Sequence, residues 1–425
     1  MPLTRGRLAG LNGGMVTCNV VPVASELHGA DAVSALTASL QPAFDRVGAR
    51  LVASVEAANT SLPMAVLVLT GGTERAVLAA WSARQQFLPG EPLLLLTHAG
   101  HNSLPAALEA LARLQRDGAN GRIVMVDGEL PNPDLVEALH DMKVWHQLHR
   151  SRLGLLGAPS DWLVASVPDR EAVQRRWGVT IVDADLPQAL DRFAENIDAP
   201  VAEPVRLRAR HHDGEPDAAE VETAARFEPV LREVAVDLQL DAISVRCFDL
   251  LSAGHTSGCV ALSSLNDSGV IAGCEGDVAS TVGLLWGKLF TGQLGWMANP
   301  AMADRTTGHI ELAHCTVPLS MVHDYELHTH FESGLGVGIS GQLPPGPVTV
   351  LRLGGMALEQ LWCFDGEALP TTPRDGRCRT QVDVKVDPAA VGELLDHPLG
   401  NHLVLLPGHH AQQMRRWFTE LLSAE

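Results

Sequence analysis

The sequence has no apolar run long enough to span a bilayer, and the arginines in its opening MPLTRGRLAGLNGGMV are not followed by a continuous apolar stretch. Neither membrane insertion nor export is expected, and the chain reads as cytoplasmic. Positive charge is scarce: 31 Lys and Arg face 50 Asp and Glu, for a formal charge of −19. Without a basic stripe interleaved with aromatics, that surface repels a polyphosphate backbone and excludes nucleic acid as a partner. The seven cysteines (Cys18, Cys247, Cys259, Cys274, Cys315, Cys363, Cys378) lack paired zinc-type spacing, and an odd, scattered set suits a reducing compartment. Also missing are a compact metal motif such as HExxH, internal repeats and low-complexity tracts.

What is present is ample core material. At 425 residues and 46% apolar content, two or three domains are expected. Between Leu51 and Asp127, apolar runs (MAVLVL, PLLLLT, RIVMVD) alternate with segments of helical period such as TERAVLAAWSARQQF and NSLPAALEALARLQ, which reads as a doubly wound α/β domain over residues 1–148. LTGGTE at 69 to 74 is a tight strand-to-helix turn; it lacks the spacing and the following Lys-Ser or Lys-Thr of a nucleotide site. A second α/β alternation starts at RLGLLG, continues through WLVAS and GVTIVDA, and extends to 318. Its polar stretch ARHHDGEPDAAEVE, with HDG at 212 to 214, reads as a solvated loop. Short runs separated by Gly and Pro over 319–425 predict a β-rich domain, an antiparallel sheet or small barrel closed by a final helix near 409 to 422.

The most informative stretch runs from 259 to 318 and reads as strand, helix, strand. Glu275 follows the apolar run GVIAGC, Asp277 is placed to cap the next helix, and Gly292 is placed to stop it before LGWMA and Asn299. If both runs are parallel neighbours, Glu275 and Asn299 emerge at one sheet edge, where α/β folds bind ligands. Two oxygen donors there suit Mn²⁺ or Mg²⁺, and an imidazole tilts the choice toward Mn²⁺. His314, ending HIELAH, and His402, in LGNHLVLLPG, are the candidates.

Several segments resemble the L-fucose and L-arabinose isomerase superfamily, in its L-fucose isomerase-like branch: CEGD followed by a helix, LFTG, AHC, LTGGTE, HNSLPAALE, GAPSDWLVAS, VRCFDLLSAG, THFESGLGVG and GNH. The resemblance covers nearly the whole chain and implies two doubly wound α/β domains followed by a β-rich one. It also implies a divalent cation, Mn²⁺ or else Mg²⁺ or Co²⁺, bound by Glu275, which doubles as acid/base, and by His402. His314 matches a ligand of the arabinose enzymes. Asn299 stands where the fucose enzymes carry an aspartate that binds metal and moves protons. Its amide oxygen can ligate but cannot shuttle a proton, so Asp277, Asp304, Glu332, a water or Glu275 alone must supply the second transfer.

Interconverting an aldose and a ketose moves a proton between adjacent carbons through an enediol, which needs a base beside the carbon and a cation at the two oxygens. Arg246, Asp249, Asn266, His330 and Glu332 are candidates to hold sugar hydroxyls or an acidic substituent. The resemblance implies that His28, His101 and Asn102 cap a neighbouring subunit's site in a trimer or hexamer. Deoxy sugars, pentoses and acid-substituted hexoses such as sulfosugars all remain open as substrates. So do a non-catalytic sugar-binding protein and a metal-assisted epimerase or lyase.

Overall fold

The computed structural model describes residues 17–126, 132–195, 210–211, 216–253 and 256–422. Within them the chain is mixed α/β, with two parallel sheets and a closed six-stranded barrel. It divides into two compact units, the first running to Gln147 and rejoined from Trp417, the second Leu148–Arg416.

In the first unit, β1 (Cys18–Val23), β2 (Ala49–Leu51), β3 (Met64–Val68), β4 (Leu93–Thr97) and β5 (Gly121–Met125) form a parallel sheet ordered β2-β1-β3-β4-β5. Both faces are covered, which is why its strands are apolar throughout instead of alternating. Ala65 and Leu67 of β3 pack with α1 (Ala30–Arg46) and α4 (Pro133–Leu148) on one face. Val66 and Val68 pack with α2 (Glu74–Gln85) and α3 (Ser103–Arg116) on the other.

The second unit opens with β6 (Arg152–Leu156), α5 (Arg170–Trp177), β7 (Thr180–Ala184) and α6 (Leu186–Glu195). The short strand β8 (Arg210–His211) precedes α7 (Ala218–Ala225) and α8 (Phe227–Leu238). Strand β9 (Ala242–Val245), α9 (Cys247–Ala253), α10 (Cys259–Asp267), β10 (Ile271–Cys274) and α11 (Val278–Thr291) complete a parallel sheet ordered β10-β9-β6-β7. The polar stretch at 209 to 222 is not all loop: Arg210 and His211 pair beside the β13 strand described below, and Asp217 and Glu220 close a capping box on α7. HDG at 212 to 214 lies outside the described residues. WLVAS forms no strand; residues 162–166 run as turns and irregular chain.

Beyond α11 the pairing becomes antiparallel. Strands β11 (Trp296–Asp304) and β12 (His309–His314) are followed by the hairpin β13 (Asp324–His328) and β14 (Gly338–Gln342), then β15 (Gly346–Gly354), β16 (Gln360–Leu369) and β17 (Thr380–Val386). Helix α12 (Pro388–Asp396), β18 (Leu403–Pro407) and α13 (Ala411–Leu421) end the fold. The barrel closes in the order β11-β12-β17-β16-β15-β18 around Trp296, Leu312, Val350, Trp362, Val384 and Leu405.

This corrects the expected neighbour relation of β10 and β11. Strand β11 does not join the parallel sheet; it pairs antiparallel with β12 and β18. A four-residue apolar run such as GWMA carries no signal for which sheet it enters. The barrel's register supplies the proximity instead, setting Asn299 opposite Ala313 and Ala298 opposite Leu403, so each flanking strand delivers a histidine beside β11.

Candidate metal centre

The link from β10 to α11 is only three residues, Glu275, Gly276 and Asp277, and it is sharply bent. Glu275 has φ +62° and Gly276 φ +67°. For a side chain other than glycine the left-handed region costs on the order of 1–2 kcal/mol, so its surroundings must hold it there. The Glu275 carbonyl accepts from Ser160 N at 2.8 Å, while Gly276 N donates to Val245 O at 3.0 Å. A Cβ on Gly276 would sit 2.6 Å from Ala158 O, so this position tolerates only glycine.

Three buried side chains converge on this turn. His402 Nε2 lies 3.4 Å and His314 Nε2 4.0 Å from Glu275 Oε1, and one ligand atom from each of the three lies within 4.8 Å of the others. Ligands about 2.0–2.2 Å from a shared ion have comparable separations. The other nitrogen of each ring is fixed: His402 Nδ1 donates to Asp277 Oδ2 at 2.9 Å, and His314 Nδ1 shares a 2.9 Å bond with Thr316 Oγ1. His402 is fully buried, yet its Nε2 has no hydrogen-bond partner among the described residues. A buried nitrogen without a hydrogen bond, aimed at a carboxylate and a second imidazole, fits a divalent cation with mixed nitrogen and oxygen preference.

The electrostatics agree with that donor set. Burial works to raise the Asp277 pKa, but Arg352 and His402 outweigh it and hold this carboxyl well below the ordinary range. Burial opposes the His402 imidazolium, yet Asp277 and Glu275 together push its pKa up to about 9. Burial, then the charge of His402, brings His314 down to about 3, leaving its imidazole neutral and able to ligate. Glu275 is kept below its ordinary value, despite burial, by His402, His314 and Trp162.

Asp277 caps α11 as expected, accepting from Ser280 N at 2.8 Å, and in the same position it orients His402. Asn299 is half-buried on β11, and its amide oxygen accepts from Asn401 Nδ2 at 3.4 Å. Glu332 lies at the surface with its carboxyl partly desolvated, and that desolvation together with the charge of Glu275 raises its pKa. His330 packs edge-on to Phe248, ring centroids 5.5 Å apart. Two candidates for sugar contact are already engaged: Asn266 binds the backbone of Leu262 and Ala272, and Arg246 is held by Asp161, Asp249 and Pro159 O. Asp304 is spent on the turn after β11, where it accepts from Thr306 and Thr307.

In the first unit, His28, His101 and Asn102 gather beyond the C-terminal ends of β1 and β4. The His28 and His101 rings lie 5.8 Å apart, and His101 and Asn102 have φ +49° and +56°. LTGGTE is the expected turn, with Gly71 N donating to His101 O at 2.7 Å.

Four contributors went unnoticed in the sequence. Trp162 Nε1 donates to Glu275 Oε2 at 2.5 Å although its ring is 50% exposed. Arg352, fully buried, binds Asp277 at 3.0 Å, Ser280 Oγ at 2.5 Å and Ser166 Oγ at 2.6 Å. The signal for Arg352 was a lone charge inside the apolar run VTVLRLG, which a strand can bury only with a counter-ion. Trp162 and Ser166 both lie in GAPSDWLVAS, a segment noted for resemblance but not for its polar atoms. The fourth, Thr316, follows AHC.

No family model matches the chain. It is similar to a sulfoquinovose isomerase of Alkalicoccus urumqiensis, 22% identical over 286 residues, covering 63% of each chain. A sulfoquinovose isomerase of Clostridium sp. (strain MSTE9) is also 22% identical, over 320 residues, covering 69% of this chain and 70% of the relative. The matched region thus spans a little under two thirds of the first relative's length. Among the described residues no helix is long and apolar enough to cross a membrane.

Proposed function

We infer that this protein is a metal-dependent aldose–ketose isomerase acting on a sugar, with a sulfosugar as the favoured substrate. The observation that carries the reading is the buried convergence of Glu275, His314 and His402, with His402 Nε2 making no hydrogen bond among the described residues while it faces Glu275 Oε1 at 3.4 Å. Similarity to two proteins named sulfoquinovose isomerase supports both the reaction class and the substrate. Glu275, His314 and His402 would hold Mn²⁺, or Mg²⁺ or Co²⁺ in its place, with the Asn299 amide oxygen as a further ligand. When bound, the cation polarises the sugar carbonyl and stabilises the charge that develops on the two adjacent oxygens.

The chain's own groups then move the protons. Glu275 takes the proton from the carbon beside the carbonyl and returns it to the former carbonyl carbon, a role worth on the order of 10²- to 10⁴-fold. Glu332, whose pKa is raised by desolvation and by the charge of Glu275 while that of Glu275 is lowered, transfers the proton between the two oxygens, a task Asn299 cannot perform. Asp277 orients His402 and is itself locked by Arg352, so its part is positioning. The three-domain fucose isomerase-like arrangement, a cytoplasmic location, and a trimer or hexamer in which His28, His101 and Asn102 cap a neighbour's site complete the proposal.

The test is proton NMR in D₂O with Mn²⁺ and a panel of aldoses that includes sulfoquinovose. Ketose formation with deuterium at the exchanged carbon is expected, and Glu275→Gln should abolish both. Sugar binding without exchange or product in the unaltered protein would overturn the reading.

A further inference from the structure

Most arginines around the second unit's centre are neutralised. Arg246 is held by Asp161 and Asp249, Arg352 by Asp277, Arg374 by Asp383 and Glu311, and Arg377 by Glu311. Arg379 is different. Its Nε donates to Thr329 O at 2.7 Å, its Nη2 to Thr329 Oγ1 at 3.3 Å, and its Cζ lies 5.8 Å from the centroid of the Phe331 ring. Among the described residues no carboxylate pairs with it, and its Nη1 has no acceptor. A half-buried guanidinium fixed on one side and unmatched on the other, in a chain of charge −19, is pre-organised for an oxyanion.

Its place ties it to the metal centre. Arg379 directly precedes Thr380, which stands opposite His314 in the β12–β17 register. Around Gly338 the chain is so tight that an added Cβ would lie 3.2 Å from Arg379 Cγ, 3.5 Å from Cys315 Cβ and 3.7 Å from His330 Cα. His330 registers both charges: burial and then Arg379 lower its pKa, while Glu275 acts to raise it. Arg379, His330 and Glu275 therefore share one electrostatic neighbourhood.

We propose that Arg379 receives the sulfonate of the sugar substrate, at the end remote from the carbons that react, and so sets the preference for an acid-substituted hexose. The reading of the centre as a sugar isomerase supplies the identity of the ligand. The guanidinium fork offers parallel N–H donors to two sulfonate oxygens, and the fixed Thr329 contacts reduce the ordering cost.

Calorimetry on the full-length, Mn²⁺-loaded protein tests this with sulfoquinovose and with 6-deoxyglucose, the same sugar without its sulfonate. The unaltered protein should bind the sulfonated sugar at least about 10-fold more tightly, and Arg379→Met should erase that gap through a loss of about 10- to 100-fold. Binding of 6-deoxyglucose and of Mn²⁺ should not change. Arg379→Lys, which keeps the charge but not the fork, should retain part of the preference. Equal affinity for the two sugars in the unaltered protein, or an equal loss for both in Arg379→Met, overturns the proposal. Sulfonate preference without any product would uphold Arg379 and sink the isomerase reading; turnover without preference would do the reverse.

Discussion

The indole N–H of Trp162 occupies Glu275 Oε2, which leaves Oε1 as the oxygen turned toward His402 and His314. A hydrogen bond to a charged group is worth about 1.5–3 kcal/mol, so Trp162→Phe, which keeps the ring and removes the donor, should weaken Mn²⁺ binding about 10- to 100-fold. Its urea midpoint should barely move, because the ring is half in solvent and supports little core. Metal titration and urea unfolding of the same variant check both halves. Single residues were legible in the sequence where a motif isolated them, as CEGD isolates Glu275 and GNH isolates His402. Trp162 and Arg352 were not, since their importance lies in partners 113 and 75 residues away, and sequence spacing holds no trace of such a contact. Asn266 shows the opposite failure: a polar residue near a site attracts a substrate role, while its amide bridges backbone groups of α10 and β10.

Among the elements, the turn after β10 carries the greatest constraint. Gly276→Ala would place a Cβ 2.6 Å from Ala158 O at φ +67°, and a loss of about 1–3 kcal/mol in urea unfolding is expected. Gly392 in α12 has open space around it, and Gly392→Ala should instead stabilise by about 0.5–1 kcal/mol. The GNH motif has a similar steric origin, because a Cβ on Gly400 would run into the Arg352 guanidinium that locks Asp277. Elements with a strong period were readable: β3, β4, β6, β10 and α11 fall where apolar runs and the Asp277 and Gly292 caps put them. Partnership was not. The run that becomes β11 has the composition of a buried strand in either kind of sheet, and only its pairing with β12 and β18 assigns it to the barrel.

At the scale of the whole molecule, the α/β character, the parallel sheets and the barrel followed from the change in pattern along the chain, from long apolar runs with helical spacers to short runs punctuated by Gly and Pro. The barrel's closure from strands on both sides of residue 318 did not, because closure is a property of register and not of composition. That closure sets His314 on β12 and His402 just before β18 on either side of β11, with the Glu275 turn facing them.

The central claim is that these three side chains share one cation, and Mn²⁺ titration calorimetry tests it most directly. One ion per chain is expected. His402→Ala and Glu275→Gln should each cut affinity at least about 100-fold, being losses of a ligand and not of an outer contact. With the His402 pKa near 9, its imidazole holds a proton at pH 7 that binding must displace, so about one proton should be released per ion, and affinity should fall about tenfold for each unit of pH below 9. Unchanged affinity in both variants, or binding without proton release, would contradict the account.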